Sequence, residues 1–153
     1  MKQFWRMQLH PADPDESTKC CVESLAAGFV GLDFAKDTGD LRKADLSDLP
    51  PGQRDYKSFA TKMRIGDLVL VMAHHFPFAL ARIAGDYNYI AQRDPRLGIW
   101  FRHFRGVDEV RYYADWKKDA RKWPKLIMTD AISTLREEST QSAQLIRQWL
   151  RAA

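Results

Sequence analysis

The spacing of hydrophobic residues along the chain predicts most of its secondary structure. Residues 4–9 (FWRMQL) alternate between apolar and polar side chains, as in a strand, and residues 68–73 (LVLVMA) are apolar throughout, as in a buried strand. Within residues 53–64, four apolar residues recur at i, i+3, i+4 and i+7, which predicts an amphipathic helix. Residues 13–28 also predict a helix, with Gly28 placed to cap its C-terminus.

The other segments of the chain suggest more strands than helices. Further strands are predicted over residues 29–34, 79–90, 99–104 and 107–116, the last two parted by Gly106, and helices over residues 129–139 and 140–153. Residues 35–53 have no sustained period and predict a loop. Antiparallel strands in a row with few helices indicate the α+β class, with a small curved sheet or barrel and flanking helices. Since the sequence contains no repeat and no linker, we expect a single domain over residues 1–153, with a C-terminal helical extension over 126–151.

Composition places this chain among folded proteins. Hydrophobic residues make up 45% of its 153 residues and charged residues 29%, which is typical of a globular domain. The sequence has no apolar run of membrane-spanning length and no secretory signal at its N-terminus, so we expect a cytoplasmic protein that binds no membrane. Its two cysteines, Cys20 and Cys21, are adjacent and cannot build a disulfide framework.

The distribution of charge is more informative than the formal net charge of +4. Residues 93–125 combine many lysines and arginines with tryptophans, tyrosines and phenylalanines. Phosphates attract cations and unpaired bases stack on aromatic rings, so this mixture suits a single strand or an everted base. A solvated face above a hydrophobic core gives the same composition. If the segment binds nucleic acid, the side chains expected to contact the phosphate backbone of the nucleic acid are Arg102, Arg105, Lys117, Lys118, Arg121 and Lys122.

Enzymatic motifs are lacking in the sequence. It contains no phosphate-binding loop, no dinucleotide fingerprint, no H-E-x-x-H and no C-x-x-C, so we expect no cofactor, no metal and no catalysis. The one plausible acid–base set is Asp33, Asp86 and His103, and no spacing ties these three residues together.

Two tyrosines raise a question about exposure. Tyr87 and Tyr89 are spaced two apart after Gly85, so on an extended chain they share one face. Trp and Tyr carry a polar group and make good walls for a partly wet pocket. The pattern leaves two interpretations open: one or both tyrosines line a pocket, or both belong to the core.

Four short motifs resemble a known superfamily. Trp5-Arg6 at the end of a strand, the Gly66-Asp67 turn, the G-x-Y-x-Y strand over residues 85–89 and Arg105-Gly106-Val107 occur in the order seen in EVE-type and YTH-like domains of the PUA superfamily. The resemblance covers residues 3–116 and is closest to N-terminal domains of McrB- and Mrr-like restriction proteins. It implies a PUA-like barrel in a protein related to restriction and defence.

The same resemblance implies a reader of modified bases in DNA or RNA. A flipped base would enter an aromatic cage without being altered, and a separate effector enzyme would act on the result. The cage residues expected here are Trp5, Asp33, Phe59, Tyr87, Asn88, Tyr89 and Trp100. Two alternatives remain: an interaction adaptor that docks a partner enzyme through the C-terminal helices and Trp149, and a small nucleic-acid-processing enzyme.

Overall fold

The computed structural model describes most of the chain. The described residues are 2–9, 14–33, 39–43, 45, 55–94, 96, 100–127, 132–136 and 140–152. The strands are β1 (Phe4–Gln8), β2 (Phe29–Leu32), β3 (Leu68–Ala73), β4 (Phe76–Ile83), β5 (Asn88–Tyr89), β6 (His103–Tyr112) and β7 (Ile132–Thr134). The α-helices are α1 (Ser17–Ala27), α2 (Asp55–Thr61), α3 (Tyr113–Trp116) and α4 (Gln141–Ala152). Most of the predicted loop over residues 35–53 lies outside the described residues.

The strands form one curled, mainly antiparallel sheet. Its order is β2–β6–β4–β3–β1–β7, and β5 pairs with β6. β1 and β3 run parallel, and every other described pair is antiparallel. The sheet curls into a half-barrel, so the predicted α+β class and curved sheet are confirmed. Among the described residues, no helix combines the length and apolarity that crossing a bilayer requires.

Both faces of the central strands are buried, which explains the uninterrupted apolar run of β3. Val69 and Val71 pack into a core that includes residues of α1 and α2, whereas Leu68, Leu70 and Met72 pack into a second core with α4. Alternate side chains of a strand point to opposite faces, so a strand covered on both sides is apolar throughout. The predicted helix over 140–153 is confirmed as α4, which covers the sheet.

The Gly66-Asp67 turn joins the starts of β1 and β3. Gly66 adopts φ 98°, which favours glycine, and the Asp67 side chain is buried. Its carboxylate accepts hydrogen bonds from the backbone N–H of Gln3 (3.0 Å), the backbone N–H of Arg64 (3.0 Å) and the indole N–H of Trp5 (3.1 Å). This motif is therefore a structural clamp between two parallel strands.

The single strand predicted over residues 79–90 is wrong in its bounds. β4 begins earlier, at Phe76, and ends at Ile83, and the chain then shifts to form the separate strand β5. The backbone N–H groups of Ala84 and Gly85 both donate to the carbonyl of Gly106, which draws the chain across β6.

Two other predictions also fail for tertiary reasons. Residues 103–112 form one strand through Gly106, and the register shift lies between Leu80 and Arg82 of β4 instead. Residues 132–134 of the predicted helix over 129–139 form β7, because they pair with β1 and complete that edge of the sheet. Residues 129–131 and 137–139 lie outside the described residues.

A substitution at Gly31 tests the packing of β2 against the chain before β6. A Cβ atom there would lie 2.3 Å from the Phe101 ring and 2.6 Å from the His103 carbonyl oxygen, so Gly31→Ala is expected to lower the free energy of unfolding. We expect a loss of about 2 kcal/mol, typical of overpacking. Gly106→Ala is the matched control, since a Cβ there meets nothing closer than 3.9 Å. Equal urea midpoints for the two variants would contradict this packing.

Candidate nucleic-acid interface

Three of the predicted cage walls lie in the core. Trp5, Phe59 and Tyr87 are 1%, 0% and 4% exposed, and all three belong to the cluster beneath α1 and α2. Trp5 is also held by Asp67 through its indole N–H. Their rings pack against other side chains and leave no free face for a base, so the prediction that they wall an open cage is corrected.

Tyr87 is held by contacts on several sides. Its hydroxyl oxygen accepts a hydrogen bond from the backbone N–H of Leu41 (3.0 Å) and lies 2.8 Å from Nδ1 of His103, to which its proton can be donated. The guanidinium of Arg42 lies 5.3 Å from the centre of the Tyr87 ring. Both tyrosine rings contact the buried His103, and Tyr87 belongs to the core, whereas Tyr89 is half-buried.

Removal of the Tyr87 hydroxyl is expected to change stability in a pH-dependent way. Burial raises the pKa of Tyr87 to about 12, so the unfolded chain loses this proton first, near its ordinary value of about 10. The protonated Tyr87 hydroxyl therefore contributes fully to the free energy of unfolding below pH 10, and this contribution is lost as the pH rises towards 12. We expect Tyr87→Phe to cost about 1.5 kcal/mol at neutral pH, because the Leu41 N–H loses its acceptor.

Urea unfolding of both proteins between pH 8 and about 12 provides the measurement. The wild-type free energy of unfolding should fall more steeply than that of Tyr87→Phe. Parallel curves would contradict a raised pKa at Tyr87.

Three predicted cage residues remain accessible at the edge where β5 meets β6. Asn88 is exposed and lies opposite Phe104, and Tyr89 is half-buried opposite His103. Trp100 is half-buried and packs edge-on against Phe101 with ring centres 5.2 Å apart. Its indole N–H is buried and meets no acceptor among the described residues. We call Asn88, Tyr89 and Trp100 the edge site.

Asp33 and Arg102 lie at the same end of the sheet and pair with each other. The Asp33 carboxylate is 5% exposed and binds the guanidinium groups of Arg93 and Arg102, with 2.9 Å between Nε of Arg102 and Oδ1 of Asp33. Both carboxylate oxygens therefore already have cationic donors. In this structure Asp33 orders the edge and does not present a free oxygen to a base.

Arg105 is a structural arginine, which corrects its predicted role as a phosphate contact. The residue is 4% exposed, and its guanidinium donates to the backbone carbonyls of Phe59 (2.8 Å), Ala60 (3.3 Å) and Gly85 (3.1 Å). Burial lowers its pKa. Two of these bonds, to Phe59 and Ala60, satisfy carbonyl groups near the C-terminus of α2, where an arginine is favourable.

Arg102 is also not a free phosphate contact, because its side chain is 12% exposed and pairs with Asp33. The remaining four predicted phosphate contacts are exposed on one segment that follows α3. Lys117, Lys118, Arg121 and Lys122 are all exposed, as is Lys125. The indole N–H of Trp123 donates to the Lys117 carbonyl (2.8 Å), and the Trp123 ring packs edge-on against the buried Tyr113. The Lys117 ammonium lies 4.4 Å from the centre of the Trp116 ring. Of these cations, Arg121 forms an ion pair with Asp119.

The two halves of the predicted interface are separated. The edge site flanks the start of β6, whereas the cationic segment begins after α3, beyond the end of β6. A ten-residue strand spans about 30 Å. We call the cationic segment Lys117–Ile127, together with the β3–β4 turn (His74–Phe76) that it contacts, the distal end. Phe76 falls in the connection between the strands predicted over residues 68–73 and 79–90, and the sequence pattern does not predict its exposure.

Two of the three residues of the catalytic alternative are engaged elsewhere, and the third, Asp86, is exposed. His103 is fully buried beneath Tyr87, and Asp33 is bound by two arginines. Across the described part of the chain, no group of three or more His, Cys, Asp or Glu side chains is arranged to hold a metal ion.

Comparisons with known proteins assign no family. The chain matches no protein-family model and no curated protein sequence. The resemblance to EVE-type domains therefore remains a prediction.

Proposed function

We propose that this protein binds nucleic acid and reads a modified or flipped base without altering it. The observation that carries the proposal is the concentration of charge at the distal end. Residues 117–127 hold five of the chain's 24 basic residues and one of its 20 acidic residues, so the remainder carries 19 of each and is formally neutral. The whole formal excess of +4 thus lies on one segment whose cationic side chains are exposed, which favours a polyanionic ligand.

Base reading is assigned to the edge site. Tyr89 and Trp100 are half-buried aromatic residues, and Asn88 offers an exposed amide with both donor and acceptor groups. A base can stack on such rings while its edge is read by hydrogen bonds. The curled half-barrel sheet is compatible with the PUA-like barrel that the sequence motifs suggest. We propose that fold, with an effector enzyme as a separate partner.

The adaptor alternative finds less support. Trp149, its expected docking residue, is 3% exposed, because α4 uses its apolar face on the sheet. The ring of Trp149 stacks on Trp116 with centres 5.5 Å apart. Docking a partner through this face would require α4 to leave its own core.

A titration monitored by fluorescence anisotropy tests the proposal. Labelled oligonucleotides with and without a modified base are titrated with the protein at several salt concentrations. We expect affinity to fall as salt rises, and the modified base to bind more tightly. Asn88→Ala should reduce the ratio between the two affinities, whereas Gln92→Ala, an exposed amide nearby, should leave it unchanged. Absence of binding, binding insensitive to salt, or equal affinity for the modified and unmodified oligonucleotides would refute the proposed function.

A further inference from the structure

Exposed apolar side chains accompany the cations at the distal end. Phe76 is 41% exposed and Ile127 is 61% exposed, so both are among the few large hydrophobic side chains on the described surface. The backbone N–H of Leu126 donates to the His75 carbonyl at 2.7 Å, which fixes the cationic segment to the β3–β4 turn. Phe76 and Ile127 each directly follow one partner of this bond. Apolar and cationic groups are therefore presented together.

Two imidazole rings occupy the same turn. His74 and His75 connect β3 and β4, with Ala73 paired to Phe76 across the turn, and the two ring centres are 3.9 Å apart. His74 adopts φ 57°, which is uncommon for a residue other than glycine. Burial, His74 and Lys125 lower the pKa of His75. At neutral pH the His75 ring is therefore mainly uncharged and adds little positive charge to the turn.

We propose that the distal end binds single-stranded nucleic acid in preference to duplex. This inference rests on the proposed function and specifies its ligand. Phosphates alone would explain the lysines but would leave Phe76 exposed to water. A single strand presents unpaired bases that can stack on Phe76 while the neighbouring phosphates contact Lys117, Lys122 and Lys125. In a duplex the base faces are already stacked, so Phe76 gains no partner there.

Three probes separate these contributions. The probes are an oligothymidylate of about 12 nucleotides, a duplex of the same length and inorganic polyphosphate. The length of about 12 nucleotides is chosen because single-strand binding sites cover about 4–16 nucleotides. We expect the wild-type protein to bind oligothymidylate at least several-fold more tightly than the duplex. Phe76→Ala should weaken oligothymidylate binding about tenfold and leave polyphosphate binding unchanged. Phe76→Trp should restore the affinity, and Val22→Ala, at an exposed apolar residue of α1, should change nothing.

The outcomes distinguish this inference from the proposed function. If the duplex binds as tightly as the single strand, or if Phe76→Ala weakens oligothymidylate and polyphosphate equally, the single-strand inference is overturned while nucleic-acid binding stands. If no nucleic acid binds under any salt condition, both are overturned. Retained folding of each variant is checked by its circular dichroism spectrum and urea midpoint.

Discussion

Charge reversal at Lys117, Lys118 and Lys122 is expected to weaken nucleic-acid binding on the order of 100-fold at moderate salt. All three side chains are exposed, and they form most of the excess positive charge of the chain. Each phosphate contact that is lost also reduces the counterions released on binding. The slope of log affinity against log salt should therefore become shallower by about 2 for a single strand.

The matched control reverses three lysines away from the distal end. Lys19 on α1, Lys57 on α2 and Lys62 just after α2 are also exposed, so their replacement by glutamate changes the net charge by the same amount. We expect this control to lose only the small part of affinity that reflects overall charge. Equal losses in the two triple variants would show that no localised surface binds the polymer.

Asp67→Ala is expected to cause the largest loss of stability, about 3 kcal/mol. The substitution removes the acceptor of three N–H groups at once, from Gln3, Arg64 and the Trp5 indole. The indole N–H is buried and would lose its hydrogen bond without gaining one to water. The free energy of unfolding in urea provides the measurement.

Two further variants identify the cause of that loss. Asp67→Asn keeps one acceptor oxygen and replaces the other by an N–H donor, so we expect about half of the destabilisation. Asp115→Ala removes an exposed aspartate and should change the unfolding midpoint little. If Asp67→Ala unfolds at the same midpoint as Asp115→Ala, the clamp between β1 and β3 contributes nothing.

The pattern of hydrophobic residues predicted the elements whose burial extends over many consecutive residues. The apolar run of β3 and the helical spacing of α4 are visible in the sequence because their burial is continuous. β5 and β7 are two and three residues long, too short to show a period. Their extended conformation comes from pairing with β6 and β1, partners that are distant in sequence. Tertiary contacts, and not the local sequence pattern, therefore determine the conformation of such short segments.

The candidate site was predicted less well, for a physical reason. Alternation shows that Tyr87 and Tyr89 share a face, but it does not show that residues 39–43 supply a backbone donor to the Tyr87 hydroxyl. Similarly, the charge of Arg105 is visible in the sequence, whereas the three carbonyl groups that bind it are brought together only by folding. The exposure of Lys117, Lys118 and Lys122 was predictable, because a run of charged side chains remains at the surface of the fold.

The most direct test of nucleic-acid binding at the distal end is an NMR titration of the uniformly ¹⁵N-labelled protein with a short oligothymidylate. We expect the backbone signals of Lys117, Lys118, Lys122 and Phe76 to shift progressively, and those of Lys19 and Lys62 to stay in place. Unchanged spectra, or shifts confined to the surfaces of α1 and α2, would contradict it.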